Sequence, residues 1–258
     1  MGRVEGKVVV ITGAASGQGA AGAVALAREG ATVVATDLHD EAPTVADVDG
    51  VTYRRLDISR PDDWTALGTW LAGEHGRVDG LVNNAGVPFR ARLLDVRQDD
   101  WNRVLSVNLT GALLGIQTVA PLMSRGGSIV NVSSVAALGG YHAVAYTVSK
   151  WGLRGLSRVA SLELGPRGIR VNTILPGFIE TPMSASAPEA FRQVNLAEAP
   201  LGRLGTVEDV VPLVVYLISE ESTFVSGAEI VVDGGQSAHG GTKSMSDAVR
   251  AASEGSDR

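Results

Sequence analysis

Tyr146 and Lys150 stand four residues apart in the stretch AYTVSKWG, residues 145–152. On a helix that spacing puts both on one face, one turn apart. A phenol with a pKa of about 10 is a poor base at neutral pH, and an ammonium close by favours the phenolate and lowers that pKa. The pair could therefore carry a proton to and from an alcohol oxygen. Tyrosine–lysine pairs at this spacing are also ordinary on amphipathic helices, so the chemistry depends on companions elsewhere in the chain.

The first companion is ITGAASGQGAAG, residues 11–22, in which Gly13, Gly17 and Gly19 form G-x-x-x-G-x-G between a short apolar run and a helical stretch. Glycines there let the backbone approach a pyrophosphate, and the helix N-terminus adds amides and a positive dipole end. A glycine triplet alone can be a tight turn; its place at a first strand–helix crossover points to a dinucleotide. Asp37 follows the next apolar run, where a carboxylate can accept from ribose hydroxyls and repel a 2′-phosphate. Ser16 and Leu38 occupy the positions where an arginine would suit that phosphate, so the reading is NAD and not NADP. NNAG (83–86) and the serines Ser133 and Ser134 end two further runs, and Asn108 lies in SVNLTG within a long helical segment.

These residues need a scaffold. Apolar runs of strand length at 8–11, 31–36, 51–56, within 78–86, 127–134, 168–177 and 228–235 alternate with helix-period segments. The helices are expected near 17–29, 61–75, 98–123, 143–164 and 206–218. Ser59 is the expected cap of the second, with Pro61, Asp62 and Asp63 in its first turn. The alternation predicts an α/β, doubly wound Rossmann domain with a seven-stranded parallel sheet covered by helices on both faces. Residues 1–235 would form that domain, 178–205 a lid over the substrate, and 236–258 a polar tail, mobile or ordered only against a partner.

In combination, G-x-x-x-G-x-G, N-N-A-G, Asn108, the serines and Y-x-x-x-K resemble the short-chain dehydrogenase/reductase family, in the family's order over about residues 4–235. VDGLVNNAG, SKWGLRGLSRVASLELG and IRVNTILPGFIETPM look like bacterial NAD-dependent hydroxysteroid-type dehydrogenases. The resemblance implies Tyr146 as acid/base, Lys150 as its tuner and the holder of the nicotinamide ribose, and Asn108 as the positioner of a water. The family's serine lies thirteen residues before its tyrosine, which selects Ser133; aligning NVSS selects Ser134, with the following loop one residue short, and Ser134 is preferred. NAD would lie against Gly13, Ser16, Gly17, Gln18 and Gly19, then Asp37, Leu38, Asp57 and Ile58. Further contacts would come from Asn84, Ala85 and Gly86, from Tyr146 and Lys150, and from Pro176, Gly177, Ile179 and Thr181. Gln18 replaces the aliphatic residue usual in the glycine motif.

The substrate is expected against Ser134, Tyr141, Tyr146 and Met183, with Val87, Phe89, His142, Phe191 and Leu196 as further lining. That apolar set suits a hydrophobic secondary alcohol or ketone, such as a hydroxysteroid or cyclic alcohol; Arg90 and Arg92 nearby are read as solvated. Rival readings are a non-catalytic NAD-binding sensor, which would lose the tyrosine, lysine or serine, and an epimerase or lyase on the same scaffold. The formal charge of −6 offers no basic stripe, so neither nucleic acid nor membrane is an expected partner. The absence of cysteine excludes thiolate chemistry, and the four histidines lack ligand spacing, so no metal is expected. With no signal segment or membrane-spanning run read, the expected compartment is cytoplasmic, and the resemblance implies a homotetramer.

Overall fold

The computed structural model describes residues 2–256. Seven strands, β1 (Val8–Thr12), β2 (Thr32–Asp37), β3 (Val51–Arg55), β4 (Gly80–Asn83), β5 (Ser128–Val132), β6 (Arg170–Pro176) and β7 (Glu229–Val232), form one sheet. Its order is β3-β2-β1-β4-β5-β6-β7, and every neighbouring pair is parallel. This is the doubly wound, single-domain Rossmann-type architecture that the alternation of runs implied.

The strands read as continuous apolar runs because both faces are covered. Successive side chains point to opposite faces. Val9, Ile11, Val33, Val82 and Ile174 pack on one side with α1 (Gly17–Arg28) and α8 (Val207–Ile218). Val10, Val34, Leu81, Ile129 and Val171 pack on the other, against Trp64, Leu67 and Leu71 of α2 (Pro61–Glu74). The strand order reverses between β1 and β4, which opens a crevice beyond their carboxyl ends.

Several local expectations change. Arg60, not Ser59, precedes α2, and no side chain caps that helix; Ser59 Oγ instead donates to Asp57 Oδ1 at 2.7 Å. The single helix expected over 98–123 is α3 (Gln98–Leu105), a π turn (Ser106–Thr110), α4 (Gly111–Val119) and a 3-10 turn (Ala120–Leu122). By length and mean hydropathy of 1.4, Gln98–Leu122 does pass as a membrane span, contrary to the reading above. Here it packs against α2, β4 and, through α3, against α5 (Val144–Leu164), as a layer of the domain.

The segment 178–205 folds into α6 (Pro182–Ala185) and α7 (Glu189–Glu198). The polar tail is also structured: α9 covers Lys243–Ser256, and the tail's start is fastened to α7. Gln236 Nε2 donates to Asn195 Oδ1 at 2.9 Å, and His239 Nε2 lies 2.9 Å from the Glu198 carbonyl oxygen. Residues 257 and 258 of the expected tail lie outside the described residues.

Candidate active site

The glycine loop leaves β1 and enters α1 with Gly13 at φ 70° and Gly17 at φ 57°, the left-handed region where a side chain is strained. A Cβ on Gly13 would also stand 2.7 Å from Ala85 Cα, so this turn has room only for hydrogen. NNAG is bolted to the same loop: Asn84 Nδ2 donates to the Thr12 and Gly13 carbonyls at 2.9 and 3.2 Å, and Ala85 N donates to Thr12 Oγ1 at 3.1 Å. Asp37 joins in, with Oδ2 accepting from Ala15 N at 3.0 Å.

Around these groups lies a cavity of about 510 Å³. Gly13, Ser16, Gly17, Gln18, Asp37, Leu38, Asp57, Ile58, Asn84, Ala85, Gly86, Tyr146, Lys150 and Thr181 all line it. Gly19 does not; it is buried, and a Cβ there would meet the Gly13 carbonyl oxygen, so it serves loop packing. Pro176, Gly177 and Ile179, expected at the cofactor, line the neighbouring cavity instead. The donor set fits a dinucleotide: an open glycine loop at a helix N-terminus, a carboxylate at the end of β2, and a buried Gln18 Oε1 with no hydrogen-bond partner.

Tyr146 lies on α5 at the junction of this cavity with a second one of about 320 Å³. Lys150 is buried beneath it; Nζ donates to the Val132 carbonyl at 2.8 Å and stands 5.8 Å from the tyrosine ring centre. The two serines part company. Ser133 Oγ donates to the main-chain carbonyl of Lys150 at 2.9 Å, whereas Ser134 joins Tyr146 in lining the second cavity, and its Oγ accepts from Ala136 N at 3.1 Å. Asn108 is buried in the π turn. Its Oδ1 accepts from Val87 N at 2.8 Å and its Nδ2 donates to Val87 O and Ser149 Oγ, both at 3.1 Å. Both hydrogens of its amide are thus committed to protein.

The smaller cavity is lined by Ser134, Tyr141, Tyr146, Met183, Phe89 and Phe191, as expected. Val87 faces the larger cavity instead, and Leu196 lines neither. Tyr141, His142, Phe191 and Phe178 form one aromatic wall, with ring centres 4.4 to 6.5 Å apart. His142 is exposed at its rim. Arg90 and Arg92, read as solvated, are both exposed, and Arg90 also contributes to the mouth of this cavity.

A family model described as enoyl-(acyl carrier protein) reductase matches residues 13–237. Trans-4-hydroxycyclohexanecarboxylate dehydrogenase of Sinomonas cyclohexanicum is 39% identical over 250 residues, covering 92% of this chain and 95% of that protein. The 3-oxoacyl-(acyl-carrier-protein) reductase of Thermotoga maritima is 42% identical, covering 90% of this chain and 98% of its own. The 3-alpha-(or 20-beta)-hydroxysteroid dehydrogenase of Mycobacterium tuberculosis is 43% identical, covering 91% and 90%. The chain belongs to the short-chain dehydrogenase/reductase family. It is an oxidoreductase of the CH–OH group, of a family that works with a nicotinamide cofactor.

In this dehydrogenase/reductase, the electrostatics of the central pair depart from the simple picture of an ammonium lowering a phenol. Burial raises the Tyr146 pKa, and the hydrogen bond with Ser134 only partly offsets it. Burial also lowers the Lys150 ammonium to about 8. The cause is geometric: the ammonium is directed at a carbonyl and is itself desolvated, so the low-dielectric setting dominates both groups. Asn195 and Gln236 also line the smaller cavity, and the sequence offered no sign of either. They arrive there from α7 and the tail, which local patterning cannot bring together.

Proposed function

We propose that the protein interconverts a hydrophobic secondary alcohol and its ketone, such as a cyclic alcohol or hydroxysteroid, with NAD. Tyr146 at the junction of the two cavities, with Ser134 beside it in the lining of the smaller one, is the observation that carries this reading. The names of the relatives, two of which act on a cyclohexane alcohol and a steroid alcohol, support the substrate class.

The dinucleotide would be held by the glycine loop, with Asp37 at the adenine-side ribose and Asp57 near the adenine, and Lys150 beside the nicotinamide ribose. When bound, NAD would supply the hydride acceptor and a positive charge. For oxidation, Tyr146 as phenolate takes the hydroxyl proton while the carbinol C–H bond breaks with its electron pair and the C=O bond forms. Ser134 donates to the substrate oxygen and so places it against Tyr146. Reduction runs the same groups backwards, with neutral Tyr146 giving the proton. Because burial favours the neutral phenol, the chain is set for proton donation until positive charge or higher pH draws the proton off.

The chain acts in the cytoplasm as a homotetramer. Val148, Trp151, Val159 and Leu162 form an exposed apolar stripe along α5, and a second copy of the same helix would cover it. Tyr146→Phe is the deciding experiment: absorbance at 340 nm with cyclic alcohols should show turnover falling at least about a thousandfold while NAD binding persists. Wild-type turnover in that variant refutes the mechanism.

A further inference from the structure

Arg90 is the only ionisable cation among the described residues lining the substrate cavity, and no carboxylate lines it. Its single side-chain hydrogen bond is a long one, Nη1 to Ser186 Oγ at 3.4 Å, and it enters none of the ion pairs among the described residues. Arg90 is exposed at the mouth of the cavity, on a loop whose backbone is anchored. The Val144 amide donates to the Ala91 carbonyl at 3.3 Å, tying the Arg90 loop to the start of α5. Across the cavity the charge is felt by Tyr141, whose phenol is raised by burial and lowered in part by Arg90. The rest of the lining is neutral, with the aromatic wall along one side and the Tyr146–Ser134 pair at the reacting end.

An exposed guanidinium without a counter-charge, at the mouth of an otherwise uncharged cavity, is placed to pair with an anion on the ligand. We propose that Arg90 selects a substrate with two ends: a secondary alcohol or ketone at Tyr146 and, across an apolar ring or short chain, a carboxylate that pairs with Arg90. This rests on the alcohol–ketone reading above and narrows its substrate class to hydroxy or oxo acids with an apolar body. A cavity of about 320 Å³ suits a ring-sized molecule. A carboxylate matches the planar guanidinium through two parallel hydrogen bonds, which a neutral amide of the same shape cannot do.

The test compares trans-4-hydroxycyclohexanecarboxylate with its neutral carboxamide, using NAD and the full chain. For the wild type, kcat/KM should favour the acid. In Arg90→Gln that acid-to-amide ratio should fall about 10- to 50-fold through KM, and Arg90→Lys should recover part of it. Calorimetry with cyclohexanecarboxylate, which cannot react, should show at least about tenfold weaker binding to Arg90→Gln than to the wild type. An unchanged ratio, a wild type indifferent to the charge, or no binding of cyclohexanecarboxylate to wild type overturns the proposal. Dependence on Arg90 only for 3-hydroxybutyryl-coenzyme A overturns it too, since the cation would then serve a thioester carrier's phosphates. If no alcohol is oxidised with NAD and yet cyclohexanecarboxylate binds through Arg90, the alcohol–ketone reading fails and the anion site stands.

Discussion

Ser133 Oγ donates to the main-chain carbonyl of Lys150 at 2.9 Å, pinning the end of β5 to the helix that carries Tyr146. The neighbouring Ser134 makes no such tie; it lines the smaller cavity with Tyr146, where its hydroxyl favours the phenolate. Two adjacent residues of one type are given different work by the alternation of a strand end.

That division is measurable. Ser134→Ala should lower kcat about a hundredfold or more with little change in urea stability, since its hydroxyl faces the cavity. Ser133→Ala should keep most of the turnover and cost about 1 kcal/mol for a lost buried hydrogen bond. The reverse pattern would assign catalysis to Ser133.

Lys150 should leave a signature in stability against pH. Its folded pKa of about 8 lies below the ordinary lysine value of 10.5, so between those values the unfolded chain binds the extra proton. Stability from this group therefore rises as pH climbs from 8 towards 10.5, and below 8 the buried charge costs its full amount. Measured by urea unfolding at pH 7 and 10, wild type should gain about 2–3 kcal/mol relative to Lys150→Met. Parallel pH curves for the two proteins would place the ammonium in solvent.

Proton position should also set direction. Oxidation needs the Tyr146 phenolate and reduction the phenol, so kcat/KM for the alcohol should climb with pH while that for the ketone falls. Initial rates of both directions over pH 6–10 check this; the same slope for both would remove Tyr146 as the proton carrier.

Gln18 brings a buried acceptor with no partner to the wall between the two cavities. Gln18→Leu should unfold no more easily than wild type, and as much as about 1 kcal/mol less easily. Titration of protein fluorescence should show NADH binding several-fold more weakly in that variant. Unaltered affinity would mean that the amide is no part of the cofactor site.

Asp37 accepts from the amides of Ala15 and His39 at the end of β2, at 3.0 and 3.3 Å, and lines the larger cavity with a carboxylate. Asp37→Ser should raise the NADP-to-NAD ratio of kcat/KM about 10- to 100-fold by removing repulsion of the 2′-phosphate. A ratio that stays put would mean that another group excludes NADP.

Much of this molecule was legible in one dimension. Strand runs, helix periods and the G-x-x-x-G-x-G turn are local signals, governed by the backbone of a few neighbouring residues. They determined the doubly wound sheet, the place of the glycine loop and the facing of Tyr146 and Lys150 on one helix. The Ser59 cap failed because α2 begins at Pro61, which puts Arg60 at the cap position and Ser59 one residue outside it. The split in the helix at Asn108 was hidden because a π turn has no compositional mark. Tertiary structure alone decided that Ser133 is tied to the Lys150 carbonyl, that burial raises the phenol's pKa beside a buried lysine, and that Gln236 of the tail and Asn195 of α7 share a cavity with Arg90. Each of these depends on desolvation and on contacts between segments far apart in the chain, and those quantities exist only once the sheet has closed its two faces.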